Sequence, residues 1–188
     1  MHPKLLLTSF ETWLPHQKSN TSDDLLGEVS QLESFPPNCT LLRKLPVENQ
    51  LASDRVLAEI ETLQPTAIIC CGMAEKRSQL TVESQASRGK GILPTTANLE
   101  KLVTKLAVTG ISDDAGDFVC NHLYYSVLEY LNRRNLSTPC LFVHVPLLDA
   151  ENLAPTIADF MAICQQLART INVENDRAEN AIAPSESA

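Results

Sequence analysis

The stretch AIICCG, residues 67–72, is an unbroken apolar run that follows Pro65 and precedes the charged residues 75–77. A run of this length without polar alternation is typical of a strand that is covered on both faces, as the strands of parallel sheets are. It therefore indicates a sheet that lies between two layers of helices.

Outward from this run, apolar strand patterns alternate with helical patterns along the chain. Strands are predicted at 4–10, 39–47, 67–72, 78–87, 105–111 and 140–146, and helices at 22–33, 49–63, 98–104, 118–134 and 155–172, with Ser22 as the cap of the first helix and a loop over 88–98. This alternation predicts an α/β fold: a single three-layer α/β/α domain, residues 1–173, with a mostly parallel central sheet. Residues 174–188 are polar and aperiodic, which predicts a disordered tail.

Charge and hydropathy exclude several classes of protein. The net charge of −8 and the absence of any Lys/Arg cluster longer than a pair argue against a nucleic-acid partner. Three consecutive leucines at residues 5–7 are too few for the apolar region of a signal peptide, and no stretch is apolar enough for a membrane span. We expect a cytoplasmic protein without a membrane partner.

The six cysteines do not have the pattern of a disulfide framework or a metal site. Cys70 and Cys71 are adjacent within the buried strand, no CxxC pair occurs, and no Cys/His group has zinc spacing. Most of these thiols are expected to fill small spaces in the core. The sequence predicts neither a metal nor another cofactor.

Three residues could form a nucleophilic site. Cys120 lies in the first turn of a predicted helix, where unpaired N–H groups and the helix dipole favour a thiolate and so predict a lowered pKa. His144 lies in the last predicted strand, and Glu83 lies on the polar face of the fourth. A nucleophile, a base and an orienting carboxylate are the parts that covalent catalysis needs.

Each of these residues also has a structural explanation. A cysteine in an apolar helix is commonly a core residue, a histidine in a strand is commonly held by hydrogen bonds, and a glutamate on a polar face is commonly solvated. Spacing alone leaves both interpretations open.

Four segments resemble those of one family, in the order in which that family carries them. They are LLLTSFETWL at 5–14, GMAEKRSQLTVESQA at 72–86, SDDAGDFVCN at 112–121 and FVHVP at 142–146. On these segments the chain resembles the pyroglutamyl peptidase I family of cysteine peptidases. The resemblance implies that Cys120 is the nucleophile, His144 the general base and Glu83 its partner. The implied reaction removes the N-terminal pyroglutamyl residue from peptides, and we expect the sulfur of Cys120 to lie within about 4 Å of a His144 nitrogen.

The resemblance also suggests a pocket and two departures. We expect the pyroglutamyl ring to be bound by five residues: Phe10, Trp13, Gly72, Met73 and Val119. Trp13 stands where the family usually has phenylalanine, and an arginine-bearing segment that follows the glutamate in the family is missing, with Arg88 as one candidate replacement. The alternative function is a non-catalytic or altered-specificity binding descendant of the same scaffold. A homo-oligomer is one candidate assembly.

Overall fold

The structure, a computed structural model, describes residues 4–182, with side chains as far as Arg169. The strands are β1 Leu5–Phe10, β2 Cys39–Leu45, β3 Ala67–Met73, β4 Leu80–Glu83, β5 Gln85–Arg88, β6 Gly91–Pro94, β7 Thr109–Ser112 and β8 Cys140–Val145. The helices are α1 Thr21–Val29, α2 Asn49–Leu63, α3 Leu99–Val103, α4 Val119–Arg133 and α5 Leu153–Ile182.

Six strands form the central sheet, in the order β2-β1-β3-β8-β4-β7. Neighbouring strands are parallel except β4 and β8, which pair antiparallel with Thr81 opposite His144. The prediction of a mostly parallel sheet flanked by helices is confirmed. The remaining strands, β5 and β6, form a separate antiparallel hairpin.

The apolar strands bury side chains on both faces of the sheet, as the unbroken run of β3 predicts. Leu5, Leu7 and Ile69 pack with residues of α1, α3 and α5 on one face. Leu6 and Ile68 pack with residues of α2 and α4 on the opposite face. The period of two along each strand therefore divides one apolar run between two cores.

The chain reverses its direction across the sheet between β1 and β3. The crossover through α1 leads from β1 outward to β2, and the crossover through α2 returns from β2 to β3 on the other side of β1. Because parallel crossovers keep one hand, this reversal places α1 and α2 on opposite faces. A crevice forms at the carboxyl ends of strands where such a reversal occurs, and ligands of open α/β sheets bind in that crevice.

Five local predictions differ from the structure. Asn20, not Ser22, caps α1, because the side chain of Asn20 accepts a hydrogen bond from the backbone N–H of Ser22, and α1 ends at Val29. The predicted strand at 78–87 is two strands, β4 and β5, separated at Ser84. The predicted loop at 88–98 contains β6, and β7 begins at Thr109 rather than at residue 105.

The closing helix is longer than predicted. It ends at Ile182, so helix extends into part of the segment from residue 174 onward for which the sequence predicts disorder. Residues 183–188 of that predicted tail lie outside the described residues, and the boundary of the domain at residue 173 remains a prediction. No helix within residues 4–182 is long and apolar enough to cross a membrane.

Candidate active site

Cys120 is the second residue of α4 and lies almost fully buried at the start of that helix. The N-cap residue, Phe118, has no side-chain acceptor for the N–H groups of the first turn. The backbone N–H groups of Cys120 and Asn121 are directed at the thiol. The sulfur therefore lies at the positive end of a 15-residue helix.

His144 lies beside Cys120 on the face of the sheet that α4 covers. The distance between the sulfur of Cys120 and Nε2 of His144 is 4.0 Å, which meets the distance expected from the sequence. The ring of His144 packs against that of Phe142, two residues earlier on β8, with 4.3 Å between ring centroids. This contact holds the imidazole in place at the end of its strand.

Glu83 holds the other nitrogen of the imidazole. Its Oε1 atom lies 2.8 Å from Nδ1 of His144. Glu83 lies on β4 and His144 on β8, and these two strands are adjacent and antiparallel with Thr81 opposite His144. Thr81, Glu83 and His144 therefore point to the same face of the sheet. Glu83 is fully buried, although the sequence indicates only a polar strand face. A solvated surface glutamate is therefore excluded.

The acidity of Cys120 differs from the sequence-based prediction. Burial raises the pKa of the thiol to about 11, although the N–H groups of Asn121 and Cys120 act in the opposite direction. The N-terminus of α4 alone predicts a lowered pKa, but that argument omits the loss of water around the sulfur. Burial therefore favours the protonated thiol, so forming a thiolate here needs a base that takes the proton.

A cavity of about 460 Å³ opens above Cys120 and His144 at the carboxyl ends of β1 and β3. All five residues that the sequence suggests for ring binding line it: Phe10, Trp13, Gly72, Met73 and Val119. Phe10 is the last residue of β1 and Gly72 is the last but one of β3, so the cavity occupies the crevice at the reversal of the sheet. Its volume lies within the range of small-molecule sites.

Two aromatic side chains face each other at the rim of this cavity. The rings of Trp13 and Phe118 are tilted by 47°, with 6.3 Å between centroids. The side chain of Gln17 accepts hydrogen bonds from the backbone N–H groups of Trp13 and Leu14 and donates one to Glu75. The loop that carries the indole is therefore tied to the loop after β3.

Arg77 is a residue of the site that the sequence analysis missed. Its Nη1 lies 2.9 Å from Oε1 of Glu83, and the arginine also lines the cavity. Arg77 lies six residues before Glu83, within the segment 72–86 that resembles the family, and this position could have indicated that it belongs to the site. Arg88, the candidate replacement, instead pairs with Glu129 and stacks on the ring of Tyr125.

The part of the chain that the structure describes contains no candidate metal site. Among residues 4–182, no group of three or more His, Cys, Asp or Glu side chains could hold a metal ion. The six cysteines, all between residues 39 and 164, are free thiols.

Comparison with known proteins gives the family. The pyroglutamyl peptidase family model matches residues 90–173. The pyrrolidone-carboxylate peptidase of Aliivibrio fischeri is 30% identical over 197 aligned positions, which cover 87% of this chain and 91% of that protein. The pyrrolidone-carboxylate peptidase of Brachyspira hyodysenteriae is 25% identical over 177 positions, covering 80% of this chain and 86% of the relative.

The fold has a counterpart among solved structures. The crystal structure of pyroglutamyl peptidase I from Bacillus amyloliquefaciens superimposes with a TM-score of 0.77 at 20% identity, covering 89% of this chain and 96% of that one. At 20% identity the superposition shows a common fold. The family relationship rests on the 30% identity to the peptidase of Aliivibrio fischeri. The chain belongs to the pyroglutamyl peptidase family of cysteine omega-peptidases.

Proposed function

We propose that this protein hydrolyses the bond after an N-terminal pyroglutamyl residue of peptides, with Cys120 as nucleophile, His144 as general base and acid, and Glu83 as the carboxylate that orients the imidazole. One observation carries the proposal. An unbroken line of contacts leads from the sulfur through the imidazole to a buried carboxylate, below a cavity with apolar walls.

Acylation begins with a proton transfer. Because burial raises the pKa of the Cys120 thiol, the sulfur needs a base, and Nε2 of His144 lies 4.0 Å from it. Glu83 accepts the Nδ1–H of the imidazole, so Nε2 is the nitrogen free to take the proton. The thiolate then attacks the carbonyl carbon that joins pyroglutamate to the next residue.

The first turn of α4 is suited to the negative charge that develops on the carbonyl oxygen. The N–H groups of the first residues of a helix have no partner within it, and here that turn includes the nucleophile. When the intermediate collapses, the C–N bond breaks and His144 gives its proton to the leaving amine. Water, deprotonated by His144, then cleaves the thioester and releases pyroglutamate.

The cavity fits the chemistry of the pyroglutamyl ring. The ring is a small uncharged lactam with one N–H and one C=O. Phe10, Trp13 and Val119 supply an apolar wall, and the backbone of Gly72 and Met73 supplies polar partners at the carboxyl end of β3. An ionised glutamyl side chain would lose its hydration against these three apolar side chains, which offer no opposite charge in return. We therefore propose that the cyclic residue is selected over glutamate.

The cellular setting is also part of the proposal. A nucleophilic thiol remains active where thiols stay reduced, and all six cysteines are free. We propose that the enzyme works in the cytoplasm.

The test is a steady-state assay with a fluorogenic pyroglutamyl amide. Wild type should release the fluorophore, Cys120→Ala should not, and the matching glutamyl and prolyl amides should be poor substrates. Binding of a pyroglutamyl peptide by wild type, without turnover, would instead support the non-catalytic binding descendant. Turnover that survives in Cys120→Ala would contradict the assignment of the nucleophile.

A further inference from the structure

Arg77 contacts the carboxylate of the site through the oxygen that also holds the imidazole. Its Nη1 lies 2.9 Å from Oε1 of Glu83 and donates a hydrogen bond to the hydroxyl of Thr81. That hydroxyl lies 3.2 Å from the same carboxylate oxygen. Three donor groups, from Arg77, Thr81 and His144, thus gather around a single atom.

The other oxygen of Glu83 is in a different situation. Oε2 is buried and has no hydrogen-bond partner among the residues that the structure describes. A fully buried carboxylate needs compensating charge to remain ionised. Since Arg77 is the cation in contact with Glu83, its charge offsets that of the carboxylate before His144 takes any proton.

Arg77 also reaches the loop that leads into the nucleophile helix. Its Nη2 donates a hydrogen bond of 2.6 Å to the backbone carbonyl of Asp114. Asp114 lies four residues before the N-cap of α4. One guanidinium therefore joins the strand that carries Glu83 to the loop that positions Cys120.

We propose that Arg77 is a positioning residue that sets both the charge facing Cys120 and the placement of that cysteine. The inference rests on the proposed function of the site. Its charge offsets that of Glu83, so less negative charge faces the sulfur of Cys120 and the thiolate forms at a lower pH. The two terminal nitrogens of its planar guanidinium, here called the fork, hold Glu83 and the loop before α4 together, so the sulfur of Cys120 stays within reach of His144.

The electrostatic part concerns the thiol of Cys120. The ionisable groups around the pair of Cys120 and His144 are Glu83, Arg77, Cys70 on β3 and Tyr124 on α4, while Glu75, Lys76 and Asp114 lie exposed on the lining of the cavity. Removing the cation leaves the negative charge of Glu83 facing the sulfur without compensation, which disfavours a thiolate. The rise of activity therefore moves to higher pH.

Two substitutions separate the charge from the fork. Arg77→Gln should move the acid limb of the pH profile of kcat/KM upward by about one pH unit. Arg77→Lys keeps a cation but not the planar fork, so we expect the acid limb to stay in place while kcat falls by about tenfold with little change in KM. Arg88→Gln is the matched control, because Arg88 pairs with Glu129 away from the cavity, and its profile should equal that of wild type.

A second measurement needs no peptide substrate. The rate at which iodoacetamide alkylates Cys120, followed from pH 5 to 10 by peptide mapping, should shift upward in Arg77→Gln as the kinetic profile does. An inactive wild type would contradict the proposed function, whereas the alkylation profile would still test Arg77. An active wild type with unshifted profiles in Arg77→Gln, or an unchanged kcat in Arg77→Lys, would overturn this inference alone. If Arg77→Gln does not fold by circular dichroism, the kcat of Arg77→Lys decides.

Discussion

Gly72 and Cys120 are so close that no side chain fits between them. A Cβ atom built on Gly72 would lie 2.8 Å from Cβ of Cys120 and 3.1 Å from the ring of Phe142. Real Cβ atoms essentially never approach a neighbour to 2.8 Å, and neither neighbour is the end of a flexible side chain. The absence of a side chain at Gly72 of β3 is therefore what lets α4, the helix that carries Cys120, approach the sheet.

Gly72→Ala should displace Cys120 from His144. We expect the free energy of unfolding to fall by about 1–3 kcal/mol, as for other overpacked cores. We also expect kcat/KM to fall by more than the loss of folded protein accounts for. Gly110→Ala on β7 is the control, because a Cβ there meets only the end of the Gln79 side chain. Urea unfolding and the fluorogenic assay measure both effects, and equal activities for the two variants would contradict this role of Gly72.

Alkylation should distinguish Cys120 from the other thiols. Iodoacetamide at neutral pH should label Cys120 before Cys39, because His144 can take the proton of Cys120, while Cys39 is only half-buried but has its pKa raised by burial to about 12. His144→Ala should slow the labelling of Cys120 and leave that of Cys39 unchanged. Peptide mapping gives both rates, and faster labelling of Cys39 in wild type would favour a core role for Cys120.

The buried thiol should make the fold sensitive to alkali. Burial raises the pKa of Cys120 from its ordinary value of 9.0 to about 11, so the folded state holds a proton that the unfolded state releases. This contribution to stability is complete below about pH 9 and is lost as the pH rises through 11. Between pH 8 and 10, wild type should lose about 1 kcal/mol more of its unfolding free energy than Cys120→Ala. Parallel pH dependences of the two proteins in urea titrations would disprove this.

Trp13 should supply binding energy through its apolar area. Trp13→Ala should lower kcat/KM for a pyroglutamyl amide by an amount that corresponds to about 1–3 kcal/mol of transition-state stabilisation. Trp13→Phe should lower kcat/KM by less, because a ring remains opposite Phe118. Leu51→Ala, an exposed apolar residue of α2, is the control. If Trp13→Ala retains full kcat/KM while Cys120→Ala is inactive, the nucleophile assignment stands and this wall of the pocket does not.

The layers of the fold could be predicted because three of the strands consist mainly of apolar residues. The runs of β1, β3 and β8 are buried along their whole length, and a sheet with two covered faces follows from that pattern. Local boundaries were less predictable, since they depend on single contacts. Asn20 caps α1 by reaching the N–H of Ser22, and both residues are acceptable caps by type.

The sequence was enough to predict which residues form the candidate site, but not how deeply they are buried or which groups surround them. Nothing in the alternation of β4 distinguishes a solvated glutamate from the buried Glu83, because the covering layer comes from distant elements. The same limit applies to Cys120, whose helix position predicts one direction for the pKa and whose burial dictates the other. Arg77 was overlooked because an arginine in a loop is ordinarily solvated, and only the fold brings it against the carboxylate.

The antiparallel orientation of β4 beside β8 has a consequence for how the enzyme responds to salt. Glu83 lies one residue past the pair of Val82 and Val143, beneath His144 rather than at the open edge of the sheet. Dissolved ions weaken interactions between charges that water surrounds, over about 8 Å at physiological ionic strength, but they act far less on buried pairs. Raising the sodium chloride concentration should therefore leave the pH profile of the reaction in place. Any salt effect on KM should arise at the exposed charged residues that line the cavity, which are Glu75, Lys76 and Asp114.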